Sequence, residues 1–153
     1  MKVAWTVVVV MVALVTLTEG FPPRRILFGR CSPDEPVPRA VFMTCANRHG
    51  VCELRMGQSH NLRAIFRSQI NSTDVNSYVR WNSFVELPLP EQRPDACDGE
   101  IQCPVIAGQL TDFTYSLHIK NFWLRNEYPV IWSLTDNETD EPIICFKFKI
   151  NIV

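Results

Sequence analysis

Six cysteines, three histidines and two Asn-x-Thr triplets are the residues of this 153-residue chain whose types and spacing could do chemistry. The cysteines are Cys31, Cys45, Cys52, Cys97, Cys103 and Cys145. Zinc would want Cys-x-x-Cys pairs or a histidine pair beside them; neither is present, so no metal site is expected. An even cysteine count in an exported chain instead makes disulfides. Cys45 with Cys52, and Cys97 with Cys103, are close enough to staple local turns, which would leave Cys31 and Cys145 to tie the first strand to the last. Spacing alone leaves the connectivity open. With a partner on offer for every cysteine, no free thiol nucleophile is expected. His49 and His60 sit in polar, loop-like contexts. His118 alternates with Leu117 and Ile119, which turns it away from the apolar face of its strand. There is no Gly-x-Ser-x-Gly elbow and no Gly-rich phosphate loop. The acids Glu53, Glu86 and Asp112 are scattered, and nothing in the chain gathers an acid, a base and a nucleophile. The expectation is a protein that is not an enzyme and needs no cofactor.

The chain opens with Met1-Lys2, an apolar run from Val3 to Leu17, and Thr18-Glu19-Gly20. A basic start, a short apolar stretch and small residues at its end describe a secretory signal peptide over residues 1–20. The run is short for a membrane span of about 20 residues, and no basic stop-transfer cluster follows. Residues 21–153 are then sized for one domain with one core. Fifteen Lys and Arg against 16 Asp and Glu leave a net charge of −1, which argues against a nucleic-acid partner. The triplets beginning at Asn71 and Asn137 lie in polar stretches, where glycosylation of a secreted chain is expected. The expected location is extracellular, with an acidic lysosomal compartment as the alternative.

Elements with a two-residue period must position these groups. Arg25–Cys31 and Pro38–Cys45 are short strand candidates. Leu62, Ala64, Phe66 and Ile70 share one face, with Arg63, Arg67 and Gln69 on the other. From Val79 the alternation continues through Trp81, Val85, Leu87 and Leu89, against Arg80, Asn82 and Glu86. Pro88, Pro90 and Pro94 end that strand and make the passage to Cys97 a loop. Phe113–Ile119, Tyr128–Asp136 and Cys145–Ile150 alternate in the same way. The acidic stretch Asp136–Glu141 lacks the spacing and glycine of a calcium loop and reads as a solvated hairpin turn. No segment has a helical period. Seven or so strands with turn signals between them give an all-β, antiparallel β-sandwich.

The order Cys97…Cys103-Pro104, an aromatic strand, Tyr128-Pro129, Trp132-x-Leu134-x-Asp136 and Cys145-Phe146 resembles the ML lipid-recognition domain family. The likeness is to its soluble Niemann–Pick type C sterol-carrier branch and the related mite allergens. It covers about Cys31 to Ile152 and is most specific in the second half. The resemblance implies an immunoglobulin-like sandwich and the pairing Cys31–Cys145, Cys45–Cys52 and Cys97–Cys103. It also implies an apolar tunnel between the sheets in place of a filled core. Three lining positions carry over, to Leu89, Ile119 and Trp123. Leucine and tryptophan stand at the first and third of these, where the family has bulky aromatics, and Trp123-Leu124 stands where Tyr-Pro is usual. The inward aromatics Phe66, Trp81, Tyr115, Trp132 and Phe146 extend the candidate ligand surface, although periodicity alone does not separate a hollow core from a full one. Tyr128, Asn126 and Lys120 are candidate rim groups for a polar head.

The function this implies is a secreted carrier that holds a sterol, fatty acid or similar apolar lipid and hands it on. Its partner surface would be a membrane or a receptor protein. Two other readings compete: a lipid-sensing co-receptor of innate immunity, and an immunoglobulin-like interaction module without a small ligand.

Overall fold

A computed structural model describes residues 22–82 and 85–153. The leader expected over residues 1–20 therefore lies outside the described residues. The first strands are β1 (Arg24–Arg25), β2 (Gly29–Arg30), β3 (Ala40–Met43), β4 (Cys52–Leu54) and β5 (Ser59–Arg67). They are followed by β6 (Val75–Asn82), β7 (Glu86–Pro88), β8 (Leu110–His118), β9 (Glu127–Asp136) and β10 (Pro142–Ile152). One sheet has the order β1-β3-β5-β8, and the other β2-β10-β9-β6-β7. Pairing is antiparallel except that β4 lies parallel along the end of β10, sharing an edge of that strand with β2. The result is an all-β sandwich without a helix among the described residues.

The alternation of side chains builds the two inner faces. Leu62, Ala64 and Phe66 on β5, with Phe113 and Leu117 on β8, are buried from one side. Val79 on β6, Val130, Trp132 and Leu134 on β9, and Phe146, Phe148 and Ile150 on β10 are buried from the other. Trp132 sits at the centre. Its ring centroid lies 5.7 Å from Phe113, 4.9 Å from Tyr115 and 6.4 Å from Phe146, and its indole N–H donates to Ser77 Oγ at 3.1 Å. Such contacts fill the middle of the sandwich with aromatic carbon.

Disulfides join Cys31 to Cys145, Cys45 to Cys52 and Cys97 to Cys103. The first follows β2 and clamps it to β10. The third pins the Pro-rich segment that walls the open side between β8 and β6, where Ala96 N–H donates to Val75 O and Thr114 N–H to Glu100 O.

Three strand readings need correction. Arg25–Cys31 divides in two, because β1 pairs with β3 in one sheet and β2 with β10 in the other. The alternation from Val79 to Leu89 is not one strand, because the chain turns back after Asn82 and β7 pairs antiparallel with β6. Val85 and Leu87 are therefore exposed at the edge instead of sharing a buried face with Trp81. A hairpin of this length keeps the two-residue period on both arms, so periodicity does not register the reversal. Ile70 lies beyond the end of β5, in the loop that leads to β6.

Candidate functional site

Two hollows meet at the end of the sandwich where β8 finishes and β9 begins. Leu117 points inward from β8, and Ile119 follows two residues later on the same face. Val79 and Trp81 come from β6, Val130 and Trp132 from β9, and Ile150 from β10. Leu89 reaches in from the Pro-rich loop and Trp123 from the loop joining β8 to β9. These side chains close an apolar pocket of about 10 Å³, room for one water at most. Leu89, Leu117 and Trp123 also line an open mouth of about 210 Å³ just outside. Arg93, Tyr115, His118, Lys120 and Phe122 stand around that mouth.

Aromatic rings make the seal. Trp81 lies 5.8 Å from Trp123 and 5.2 Å from Tyr128, centroid to centroid, and Trp123 lies 6.0 Å from Tyr128. Lys120 and Glu91 form an ion pair that joins the two loops across the mouth. Among the described residues, no backbone hydrogen bond links residues 89–94 to residues 119–126. Apolar contact and one partly exposed ion pair, worth about 1 kcal/mol or less, thus hold the pocket closed behind the mouth. Neither a disulfide nor a strand ladder crosses it.

One charged side chain is buried in the wall beside the mouth. Glu100 is only 5% exposed. Arg93 donates to its Oε1 at 3.4 Å, while Oε2 has no partner. Burial pushes its pKa up to about 7, opposed by Arg93 and reinforced by Asp95 and Asp98. Burial, and then the neighbouring Glu100, raise the Tyr115 phenol as well. Nothing in the sequence marks Glu100, because a glutamate three residues after a cysteine in a short turn reads as solvated.

Of the sequence-derived ligand residues, Leu89, Ile119, Trp123, Trp81 and Trp132 line the sealed pocket. Tyr115 lines the mouth. Phe66 and Phe146 line neither; both are fully buried in the filled part of the core. Among the rim candidates only Lys120 borders the mouth. Tyr128 is buried wall, its hydroxyl donating to Leu124 O at 3.0 Å, and Asn126 Oδ1 accepts from Glu127 N–H at 2.9 Å. Sequence reasoning passed over Val79, Leu117, Val130 and Ile150 as lining residues, since ordinary core positions look the same.

The scattered acids do not converge. Glu86 pairs with Arg80, Asp112 with Arg63, and Glu53 accepts from Asn47. His118 is exposed, with Nδ1 2.9 Å from Ser59 Oγ. Asp136 accepts from Ser72 and Thr139, which holds its carboxyl below its usual range. Asn71 and Asn137 are both exposed, at the end of the sandwich opposite the mouth. A larger hollow, about 850 Å³, is an open groove on the outer face of the larger sheet, between Leu27 and Val51 on one side and Ile131, Lys147 and Lys149 on the other.

The profile of the ML domain matches residues 27–152. The chain belongs to the ML domain family. Within it, the NPC intracellular cholesterol transporter 2 of Danio rerio is 27% identical over 146 residues, spanning 95% of this chain and 95% of its own length. The Mus musculus protein of the same name is 26% identical over 102 residues, 66% of this chain and 68% of its own. Among solved structures, a Niemann-Pick type C2 protein from Japanese carpenter ant superposes with a TM-score of 0.75, over 84% of this chain and all (100%) of that one, at 16% identity. Chicken MD-1 complexed with lipid IVa gives 0.51 over 84% of this chain and 96% of its own, at 13% identity. At such identities these two structures speak for the ML sandwich and not for a shared ligand.

Proposed function

We propose that this ML domain protein is an exported lipid carrier. It takes up one sterol, fatty acid or similar apolar molecule by opening the sealed pocket at its mouth, and hands it on unchanged. The observation that carries this reading is the convergence of Leu89, Ile119 and Trp123 on one apolar pocket whose closure no covalent or ladder link enforces. The name of the Danio rerio relative, a cholesterol transporter, supports lipid as the ligand class. The pocket is far smaller than the roughly 300–1,000 Å³ of a filled ligand site. Binding must therefore part Leu89 from Trp123 and swing the rings of Trp81 and Trp123 aside. Buried hydrocarbon supplies the driving force, at about 25 cal/mol per Å² removed from water. Set against a mouth ion pair worth about 1 kcal/mol or less, burying even half of a sterol dominates.

The reading includes a leader over residues 1–20, glycans at Asn71 and Asn137, and delivery to a membrane or a receptor. Among the described residues no helix is long and apolar enough to cross a membrane. The test is mass spectrometry of lipid extracted from protein secreted by eukaryotic cells. A sterol or fatty acid at close to one per chain is expected. Protein that is lipid-free after secretion, and takes up neither class in solution, would return the interaction-module reading to first place.

A further inference from the structure

The two sheets differ in how their charges are arranged. On the larger sheet cations meet acids: Arg80 pairs with Glu86, and Lys149 with Glu127. The smaller sheet is lopsided. Arg24 and Arg25 on β1 and Arg63 and Arg67 on β5, with Arg39 just before β3, stand against a single acid on its four strands, Asp112. All five arginines are exposed, and only Arg63 has an acidic partner among the described residues. Alternation turns Arg63 and Arg67 to the outer face, because Leu62, Ala64 and Phe66 are buried between the sheets. Arg25 pairs with Phe42 and Phe42 with Arg63, so these three form one row across β1, β3 and β5 on that face. Three guanidinium groups are held in place: Arg25 donates to Arg39 O, Arg67 to Gly108 O, and Arg63 to Asp112. A guanidinium has five N–H donors, so each keeps others free for a ligand.

We propose that the outer face of the smaller sheet binds a linear sulfated polysaccharide of the glycosaminoglycan class. The arginine fork matches paired oxygens of an oxyanion and holds them by two parallel bonds. Two strand spacings, about 10 Å, separate Arg25 from Arg63, and four residues along β5, about 13 Å, separate Arg63 from Arg67. Cations spread in this way suit a chain that carries an anion on successive sugars. A single small anion would want them convergent. A bilayer would want apolar side chains to insert, and Leu110, the one exposed large apolar residue on these strands, lies at the end of the sheet opposite Arg67. The overall charge of −1 hides this face, because acids elsewhere in the chain cancel its arginines. Lipid cargo plays no part in the contact; only the choice of an extracellular polyanion rests on export.

The experiment is titration of the purified mature protein with heparin fragments at several salt concentrations. The wild type binds at physiological ionic strength and weakens as salt is added, and unsulfated hyaluronan does not compete. Replacing Arg25 and Arg67 together, Arg25→Ser with Arg67→Ser, lowers the affinity roughly tenfold and reduces the salt slope by about two. Its melting temperature stays close to that of the wild type, since each exposed side chain gives up one bond to a backbone carbonyl. Arg30→Ser with Lys147→Ser, the same charge removed from the larger sheet, leaves the affinity unchanged. Wild-type protein that ignores heparin at physiological salt, or an Arg25/Arg67 variant that binds as well as wild type, overturns the proposal. So does a larger-sheet variant that loses as much, or binding to phosphatidylserine vesicles in place of heparin, which would give the face to a membrane. Heparin binding by a chain that takes up no lipid upholds the site and removes only the carrier reading.

Discussion

At the scale of single residues, the carboxyl of Glu100 is 5% exposed, and its only side-chain partner among the described residues is Arg93 at 3.4 Å. A carboxyl whose folded pKa is raised to about 7 binds its proton more tightly folded than unfolded. Its effect on stability is therefore most favourable below the ordinary carboxylate range and is lost as pH rises through that range to about 7. Glu100→Gln removes this slope and should raise stability above neutral pH by about 2 kcal/mol, with little effect in acid. Thermal melts of both proteins on either side of the window check it; parallel pH profiles would show that Glu100 is fully solvated or fully paired. Asp136 works in the opposite sense. Its lowered pKa stabilises the fold at neutral pH and in mild acid, and that support is lost only as pH falls through the depressed value. An acidic compartment thus favours the wall at Glu100 without loosening the Asp136 turn. Ile119→Lys, on the wall of the sealed pocket, should abolish lipid binding, because an unpaired charge among apolar groups costs several kcal/mol. Its stem can extend toward the mouth, so the loss of stability should be smaller than for the same change at Phe66 in the filled core. Chemical denaturation of both variants compares them.

At the scale of elements, the Cys31–Cys145 bridge closes a loop of 114 residues, against 7 and 6 for the other two. In the chain-entropy model the long closure is worth about 5 kcal/mol and each local staple about 2 kcal/mol. Replacing Cys31 and Cys145 together should therefore cost the most, and equal losses in denaturant melts would contradict the clamp. The strands were legible where one face is buried and the other solvated, as in β5, β8 and β9, since alternation then follows directly from burial. β4 was missed because three residues are too few to show a period. The β6–β7 hairpin was missed because reversal preserves the period. The stretch between Ile119 and Tyr128 read as no element at all, yet it forms the loop that presents Phe122 and Leu124. Exposed apolar residues in a loop look the same in sequence as buried ones.

At the scale of the whole molecule, sandwich, disulfide framework and family were legible from the order of cysteines, prolines and aromatics in the second half of the chain. The site was legible only in part. Leu89, Ile119 and Trp123 came from the family pattern and converge, but alternation says that a side chain points inward, not whether it meets a partner or a hollow. That left Phe66 and Phe146 among the candidates, and left out Val79, Leu117, Val130 and Ile150. Nor does sequence show that the pocket is closed, because closure depends on how the rings of Trp81, Trp123 and Tyr128 stack across the mouth. Opening that seal is the central claim. Trp81, Trp123 and Trp132 are the tryptophans of residues 21–153, and all three line the sealed pocket while none lines the outer groove. A brominated fatty acid, which quenches indole only on contact, is therefore a direct reporter. Titrated into the mature protein, it should extinguish most of the tryptophan emission and saturate at one molecule per chain. Saturable binding that leaves the emission intact would place the lipid in the outer groove and contradict the account.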